Sequence, residues 1–428
     1  MPRYQDLSHA QLETLHAELL DAYRQWQAKQ LKLDMSRGKP EPAQLDLSDA
    51  MLDIHTTEHG FFSENGMDCR NYGGLEGIPE ARRLFADMLE VAPDEIIVGG
   101  NSSLAMMYDA IARAMLHGVS ERYPSWNRQQ PIKFLAPCPG YDRHFAICEF
   151  FGIDMIPIAM TPEGPDMDAV EHWVNNDPSV KGIWCVPKYS NPQGITYSDA
   201  TVRRFAALRP AAPDFRIFWD NAYCVHDLTD EGDRLLNLME ACKELGTEDM
   251  LYIFGSTSKI SFAGAGVALL AASKENIRYI TRCMSMQTIS YDKLNQLRHV
   301  RFFRDMAGIR AHMKRHAVLL KPKFDLVAEL LSPLKELGIL QFQVPNGGYF
   351  ISIETLDGCA RRVVQLCREA GVVLTGAGAA FPYGHDPRDA NIRVAPTYPP
   401  IAELRQAAEL LALCVKLASA ERLLLTAR

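Results

Sequence analysis

A chain of 428 residues exceeds one ordinary domain, and two are expected. Hydrophobic residues make up 47% and charged residues 23%, ordinary for a soluble globular protein, and a net charge of −8 excludes the basic surface that a nucleic-acid backbone requires. The 10 cysteines run from Cys69 to Cys414 without a Cys-x-x-Cys pair, and no apolar segment reaches membrane-spanning length, so a reducing cytoplasm and no membrane are expected.

Residues 7–30 read as a first helix. Ser8 caps it, Gln11 completes a capping box, and Leu12, Leu15, Leu19, Leu20 and Tyr23 form one apolar face. This polar start lacks the basic segment and apolar run of a signal peptide. The Gly/Pro-bearing stretch Met35-Ser36-Arg37-Gly38-Lys39-Pro40 follows. The middle of the chain holds seven short, continuous apolar runs: residues 95–98, 132–136, 154–159, 182–186, 216–219, 250–254 and 267–271. Such runs are buried on both faces, as in a mainly parallel sheet covered by helices. Helical patterns lie between several of them; residues 102–117 place Leu104, Tyr108, Ile111 and Met115 on one face and stop at Gly118. The expected class is α/β. Beyond Arg310 long helices take over, followed by a hairpin through Pro345-Asn346-Gly347-Gly348. Residues 61–309 are therefore expected to form a large domain, and residues 1–60 with 310–428 a smaller one.

Four strand ends carry candidate chemistry, since ligands of an open parallel sheet bind at its carboxyl ends. Gly99-Gly100-Asn101-Ser102-Ser103 leads a strand into a helix. Its amides and hydroxyls suit a phosphate, although Asn101 or Ser102 could equally cap the helix. Ser190-Asn191-Pro192-Gln193-Gly194 is a turn, either plain or offering the Asn191 amide to a ligand. Asp220-Asn221-Ala222-Tyr223 places a carboxylate at a buried strand end, which is costly unless a cation or donor pairs with it. Capping of a following helix is the plainer alternative. Ser256-Thr257-Ser258-Lys259 comes last. A lysine held there in a dry pocket can lose its proton and attack a carbonyl, whereas an ordinary loop lysine stays solvated.

In this order the four motifs resemble the class I and II aminotransferases of the pyridoxal-phosphate (PLP) enzymes of fold type I, and the resemblance covers nearly the whole chain. It extends to Asn71-Tyr72-Gly73-Gly74 with Gly77, to Gly347-Gly348-Tyr349-Phe350, to Gly376-Ala377-Gly378-Ala379-Ala380-Phe381 and to Asn391-Ile392-Arg393-Val394-Ala395. Ser36-Arg37-Gly38-Lys39-Pro40, Pro139-Gly140-Tyr141-Asp142-Arg143-His144 and Asp292-Lys293-Leu294-Asn295-Gln296-Leu297-Arg298-His299 are similar to a bacterial aspartate aminotransferase subgroup often called type Ic.

The resemblance implies a large domain with a mainly parallel seven-stranded sheet, a smaller α+β domain, and pyridoxal 5'-phosphate as cofactor. It implies that Lys259 holds the cofactor and moves the proton, that Asp220 keeps the pyridine nitrogen protonated, and that Tyr223 and Asn191 meet the ring oxygen. Tyr141 would stack on the ring, and Asn101, Ser102, Ser103, Ser256 and Ser258 would meet the phosphate. Tyr72 would reach the phosphate of a neighbouring subunit, which implies a homodimer with shared active sites. Arg393, with Asn191, would grip the substrate α-carboxylate in a bidentate pair, and Gly38 and Arg37 would border the substrate. The implied substrates are an amino acid and a 2-oxo acid, aspartate and 2-oxoglutarate, exchanged by a ping-pong route. A β-lyase or decarboxylase would use the same lysine and aspartate. A non-enzymatic PLP-binding regulator would carry a DNA-binding domain where this chain has one helix.

The pattern departs from the family at one place. Gly264-Ala265-Gly266-Val267-Ala268 lacks the arginine that usually binds the phosphate. Dicarboxylate specificity also asks for a second cation, for which Arg37, Lys293 and Arg298 are candidates. His55/His59 and His312/His316 have helical metal-ligand spacing, but with no third ligand they are expected on exposed helix faces, with no metal.

Overall fold

The computed structural model describes residues 2–54 and 60–426. The first helix spans His9–Ala28, and its capping box forms: Ser8 Oγ accepts from the Gln11 amide while the Ser8 amide donates to Gln11 Oε1. The short strand β1 (Leu33–Asp34) follows. All seven apolar runs are strands. They are β2 (Ile96–Val98), β3 (Lys133–Cys138), β4 (Asp154–Thr161) and, past the two-residue β5 (Gly164–Pro165), β6 (Val180–Cys185), β7 (Arg216–Asp220), β8 (Leu251–Ser256) and β9 (Ala268–Ala272).

One sheet holds them in the order β2-β9-β8-β7-β6-β3-β4-β5. Strands β8, β7, β6, β3 and β4 run parallel. Strand β9 is antiparallel to both neighbours, which turns β2 back into the common direction. Strand β5, antiparallel to β4, adds a short eighth strand at the edge of the seven expected. In β7, Ile217 and Trp219 join one apolar layer and Phe218 the other; in β8, Leu251 and Ile253 oppose Tyr252 and Phe254. Alternation therefore gives each face an apolar residue, and the run reads as continuous. Each such side chain contributes about 1.5–3 kcal/mol by leaving water.

A second assembly uses β10 (Leu340–Phe342), β11 (Ile351–Thr355), β12 (Val372–Val373) and β13 (Asn391–Val394). Strands β10, β11 and β13 form an antiparallel sheet, while β12 pairs in parallel with β1. The first helix and the last, Ile401–Thr426, share its apolar core. The hairpin connection is longer than the sequence suggests: Phe342 pairs with Ile353, and residues 343–350 leave the ladder. They do so because Gly347 bridges to Asp227 and lies against the Tyr189 ring, where a Cβ would stand 2.2 Å from Cε2. All ten cysteines are free and most are buried. Among the described residues no helix is long and apolar enough to cross a membrane.

Candidate active site

The strand order decides which residues meet. Strands β8, β7, β6 and β3 are consecutive and parallel, so their carboxyl ends share one edge of the sheet. Lys259 follows β8, Asp220 ends β7, Asn191 follows β6 and Tyr141 follows β3. Strand β2 points the same way and delivers Asn101 to Ser103 at the start of the helix Ser103–His117. Segments far apart in sequence thus converge at the edge where α/β proteins bind ligands.

Asp220 is 3% exposed. Its Oδ2 lies 3.1 Å from His144 Nε2, and its Oδ1 is buried without a hydrogen-bond partner. An orphaned carboxylate oxygen in this setting calls for a donor from a ligand. The His144 ring stacks on Trp184 at 4.4 Å and meets Tyr141 edge-on at 4.9 Å. Asp220 does not cap a helix.

The Lys259 Nζ stands 5.3 Å from the Tyr223 ring centre and 5.7 Å from that of Tyr349. The Lys259 side chain is half-buried, but protein crowds the ammonium, and burial lowers its pKa despite the opposing pull of Asp220. Burial, reinforced by the Tyr141 and Asp220 charges, raises the pKa of the Tyr223 phenol. The segment beneath the lysine is fastened on both sides. Ser261 Oγ donates to His299 Nε2 at 2.8 Å, and His299 Nδ1 donates to the Asn295 carbonyl at 2.8 Å. His312 Nε2 donates to the Ile260 carbonyl at 2.8 Å, and Gln44 joins His316 to the Tyr349 hydroxyl.

His312 and His316 were expected on an exposed face, and that expectation is corrected: they are 4% and 1% exposed. Their helix, Met306–Leu331, passes under the Lys259 segment and supplies the donor that the Ile260 carbonyl needs. His55 and His59 lie outside the described residues. Among those described, no three His, Cys, Asp or Glu residues are grouped to hold a metal ion.

Burial is the chief reason that His299 and His316 titrate at about 4 rather than near 6.5. Between those values the unfolded chain binds protons that the folded chain refuses, so stability falls as pH drops through that window. His299 alone costs the folded state roughly 3 kcal/mol by its lower end. The thermal midpoint should fall steeply between pH 6.5 and 4, and His299→Gln should make that fall shallower. An equally steep fall in this variant would contradict the assignment.

Arg393, on β13, reaches across from the second sheet. Its Nη1 donates to Asp142 Oδ1 at 2.7 Å and to Asn191 Oδ1 at 3.3 Å, while its Nε is buried without a partner. The guanidinium lies 5.0 Å from the Phe350 ring centre. That ring touches Gly38, where a Cβ would stand 2.4 Å from Phe350 Cζ, so only glycine fits. Arg37 is exposed beside it.

At the start of the helix Ser103–His117, Ser102 is the N-cap residue but its side chain makes no capping hydrogen bond. Its hydroxyl and the first amides remain available for an anion. Ser258 Oγ donates to the Asn101 carbonyl at 3.3 Å. Where the family arginine would stand, the loop is tied by amides instead. Asn101 Nδ2 holds the Gly264 carbonyl, and Asn295 Nδ2 holds those of Ala265 and Gly266. Arg298 in turn donates to Asn295 Oδ1, one residue behind that loop. Ser256 and Ser103 are half-buried nearby in sequence, and Tyr72 is 77% exposed.

The family model for aspartate aminotransferase matches residues 7–426. The chain belongs to the aspartate aminotransferase family. An aspartate aminotransferase of Corynebacterium glutamicum is 44% identical over 97% of this chain and 96% of its own. The crystal structure of an aspartate transaminase from Corynebacterium glutamicum superposes with a TM-score of 0.95 at 43% identity, covering 98% of this chain and 99% of that one. The α-aminoadipate aminotransferase of Thermus thermophilus, solved with N-(5'-phosphopyridoxyl)-L-leucine, shares the fold at 19% identity with a TM-score of 0.71, covering 93% and 94%.

Aminotransferases of this fold type use pyridoxal phosphate. The residues present fit that group: an orphaned carboxylate oxygen for a ring nitrogen, a desolvated lysine for an aldehyde, and an uncapped helix start for a phosphate. Reading the aminotransferase motifs from sequence missed His144 as the partner of Asp220 and Asp142 as the partner of Arg393. Both stand in the quoted Pro139–His144 segment, two residues apart, but nothing local signals their partners. A groove of about 1140 Å³ lined by Lys188, Asp227, Asp230 and Lys314 excludes Lys259, Asp220 and Arg393. These four pair with one another, Lys188 with Asp227 and Lys314 with Asp230.

Proposed function

We propose that this aminotransferase moves the amino group of L-aspartate to 2-oxoglutarate by a ping-pong route, with Lys259 as its catalytic residue. One observation carries the reading: a desolvated lysine amine faces the same strand edge as a buried carboxylate with an unfilled oxygen. Bound pyridoxal phosphate supplies an aldehyde for the amino group and a ring that withdraws electrons from the α-carbon. Lys259 would hold the cofactor and, once freed, take the substrate α-proton on Nζ and return it. Burial favours the neutral amine that this step needs. Asp220, fixed by His144, would keep a proton on the ring nitrogen, and Tyr223 with the Asn191 amide would meet the ring oxygen. Tyr141, crossed edge-on with His144, would cover the ring. The phosphate would fall to Asn101, Ser102, Ser103, Ser256 and Ser258, with Arg298 behind them through Asn295.

Arg393 would take the α-carboxylate. For the second carboxylate we favour Arg37, whose neighbour Gly38 touches the Phe350 ring under Arg393. Lys293 is buried and Arg298 is engaged by Asn295. Arg37→Ala should raise the KM for aspartate about 10- to 100-fold and leave that for alanine unchanged, the worth of a charged hydrogen bond. Equal changes for both donors would remove Arg37 from this role.

We also propose two domains, residues 61–309 and residues 1–60 with 310–428, and a cytoplasmic homodimer. The dimer follows from the family resemblance, and Tyr72 is exposed enough to reach a partner's site. A coupled assay of the purified protein with a panel of amino donors and 2-oxoglutarate tests the function. Matched formation of oxaloacetate and glutamate is expected. Loss of the β-substituent or of carbon dioxide, without glutamate, would favour a lyase or decarboxylase.

A further inference from the structure

Arg393 makes an unexpected contact. Its hydrogen bonds among the described residues both leave through Nη1, to Asp142 Oδ1 at 2.7 Å and to Asn191 Oδ1 at 3.3 Å. The Nε is buried and unpaired. A guanidinium donates along three edges, and a carboxylate pairs best with two parallel N–H groups. With Nη1 occupied, the edge formed by Nε and Nη2 is the one left for a bidentate partner.

Asp142 itself sits at a helix start. It is the first residue of the helix Asp142–Phe151, where unpaired amides favour an anion, and its carboxylate is partly exposed while Arg393 is buried. The Phe350 ring supports the guanidinium, 5.0 Å from its centre. Phe350 and the Nη1 contacts thus leave the group little freedom to rotate.

We propose that Asp142 is a positioning residue for substrate. By holding Nη1 it turns the Nε–Nη2 edge of Arg393 toward the pocket, and it remains in place when the α-carboxylate binds. The proposal rests on the reading of Arg393 as the α-carboxylate site. The alternative is a placeholder that the substrate displaces, and the two differ in sign. Loss of a positioning residue weakens substrate binding, whereas loss of a placeholder strengthens it.

The test uses the cofactor-loaded enzyme with Asp142→Ala, Asp142→Ser and Asp142→Asn, and Arg393→Lys as control. Alanine, and serine whose hydroxyl is too short to reach Nη1, should raise KM for the amino donor and for the 2-oxo acid alike by about tenfold. The kcat should change much less, because the interaction is made equally before and during reaction. Asparagine keeps a neutral acceptor and should recover KM to within about threefold. Calorimetric affinity for maleate, an unreactive dicarboxylate, should weaken by the same factor in the alanine and serine variants. A purely structural role would lower the thermal midpoint without this KM shift or asparagine rescue, and that result overturns the proposal. An unchanged or lower KM in both short variants also overturns it, if Arg393→Lys raises KM. If Arg393→Lys leaves KM unchanged too, the Arg393 reading fails and the proposal fails with it.

Discussion

Lys259→Ala should lower transamination about ten-thousandfold or more, because in the proposed role one amine would serve as both cofactor anchor and proton carrier. The substitution removes a buried ammonium that forms no ion pair among the described residues, so the fold should survive it. The amine stands over the Tyr223 and Tyr349 rings, and burial disfavours its charge. A thermal midpoint equal to or above that of the parent, with activity lost in both half-reactions, is the expected result. Retention of more than about one-hundredth of the activity would show that another group moves the proton.

Asp220→Asn should have the next largest effect. The change is nearly isosteric, and the amide oxygen can still accept from His144. What is lost is the anion whose second oxygen is buried without a partner and would meet the proposed ring nitrogen. Removing one member of a buried charged pair costs about 3–5 kcal/mol, which corresponds to roughly 10²- to 10⁴-fold in rate. The loss should appear in kcat, since the ring proton matters most as charge builds on the α-carbon. A change confined to KM would argue that Asp220 only holds the cofactor in place.

Much of the fold was legible because both faces of the large sheet are buried. Continuous apolar runs marked all seven principal strands, and the four motifs fell at their carboxyl ends. Lys259, Asp220, Asn191 and Arg393 could be singled out as candidates from their motifs and the family resemblance those motifs carry. Their pairings could not. His144 meets Asp220 because β3 lies one strand beyond β6, a neighbour relation absent from the local pattern. Asp142 meets Arg393 across two different sheets. His312 and His316 look like surface residues on a charged helix, and their burial rests on distant partners, the Ile260 carbonyl for His312 and Gln44 for His316. The hairpin was placed correctly, but its ladder stops early where Gly347 bridges to the neighbouring loop.

The assignment of a single amine is the claim most open to direct test. Borohydride reduction of the yellow holoenzyme, followed by peptide mapping, should find the pyridoxyl label on Lys259 and nowhere else in stoichiometric amount. Label on any other lysine, with Lys259 unmodified, would contradict the account.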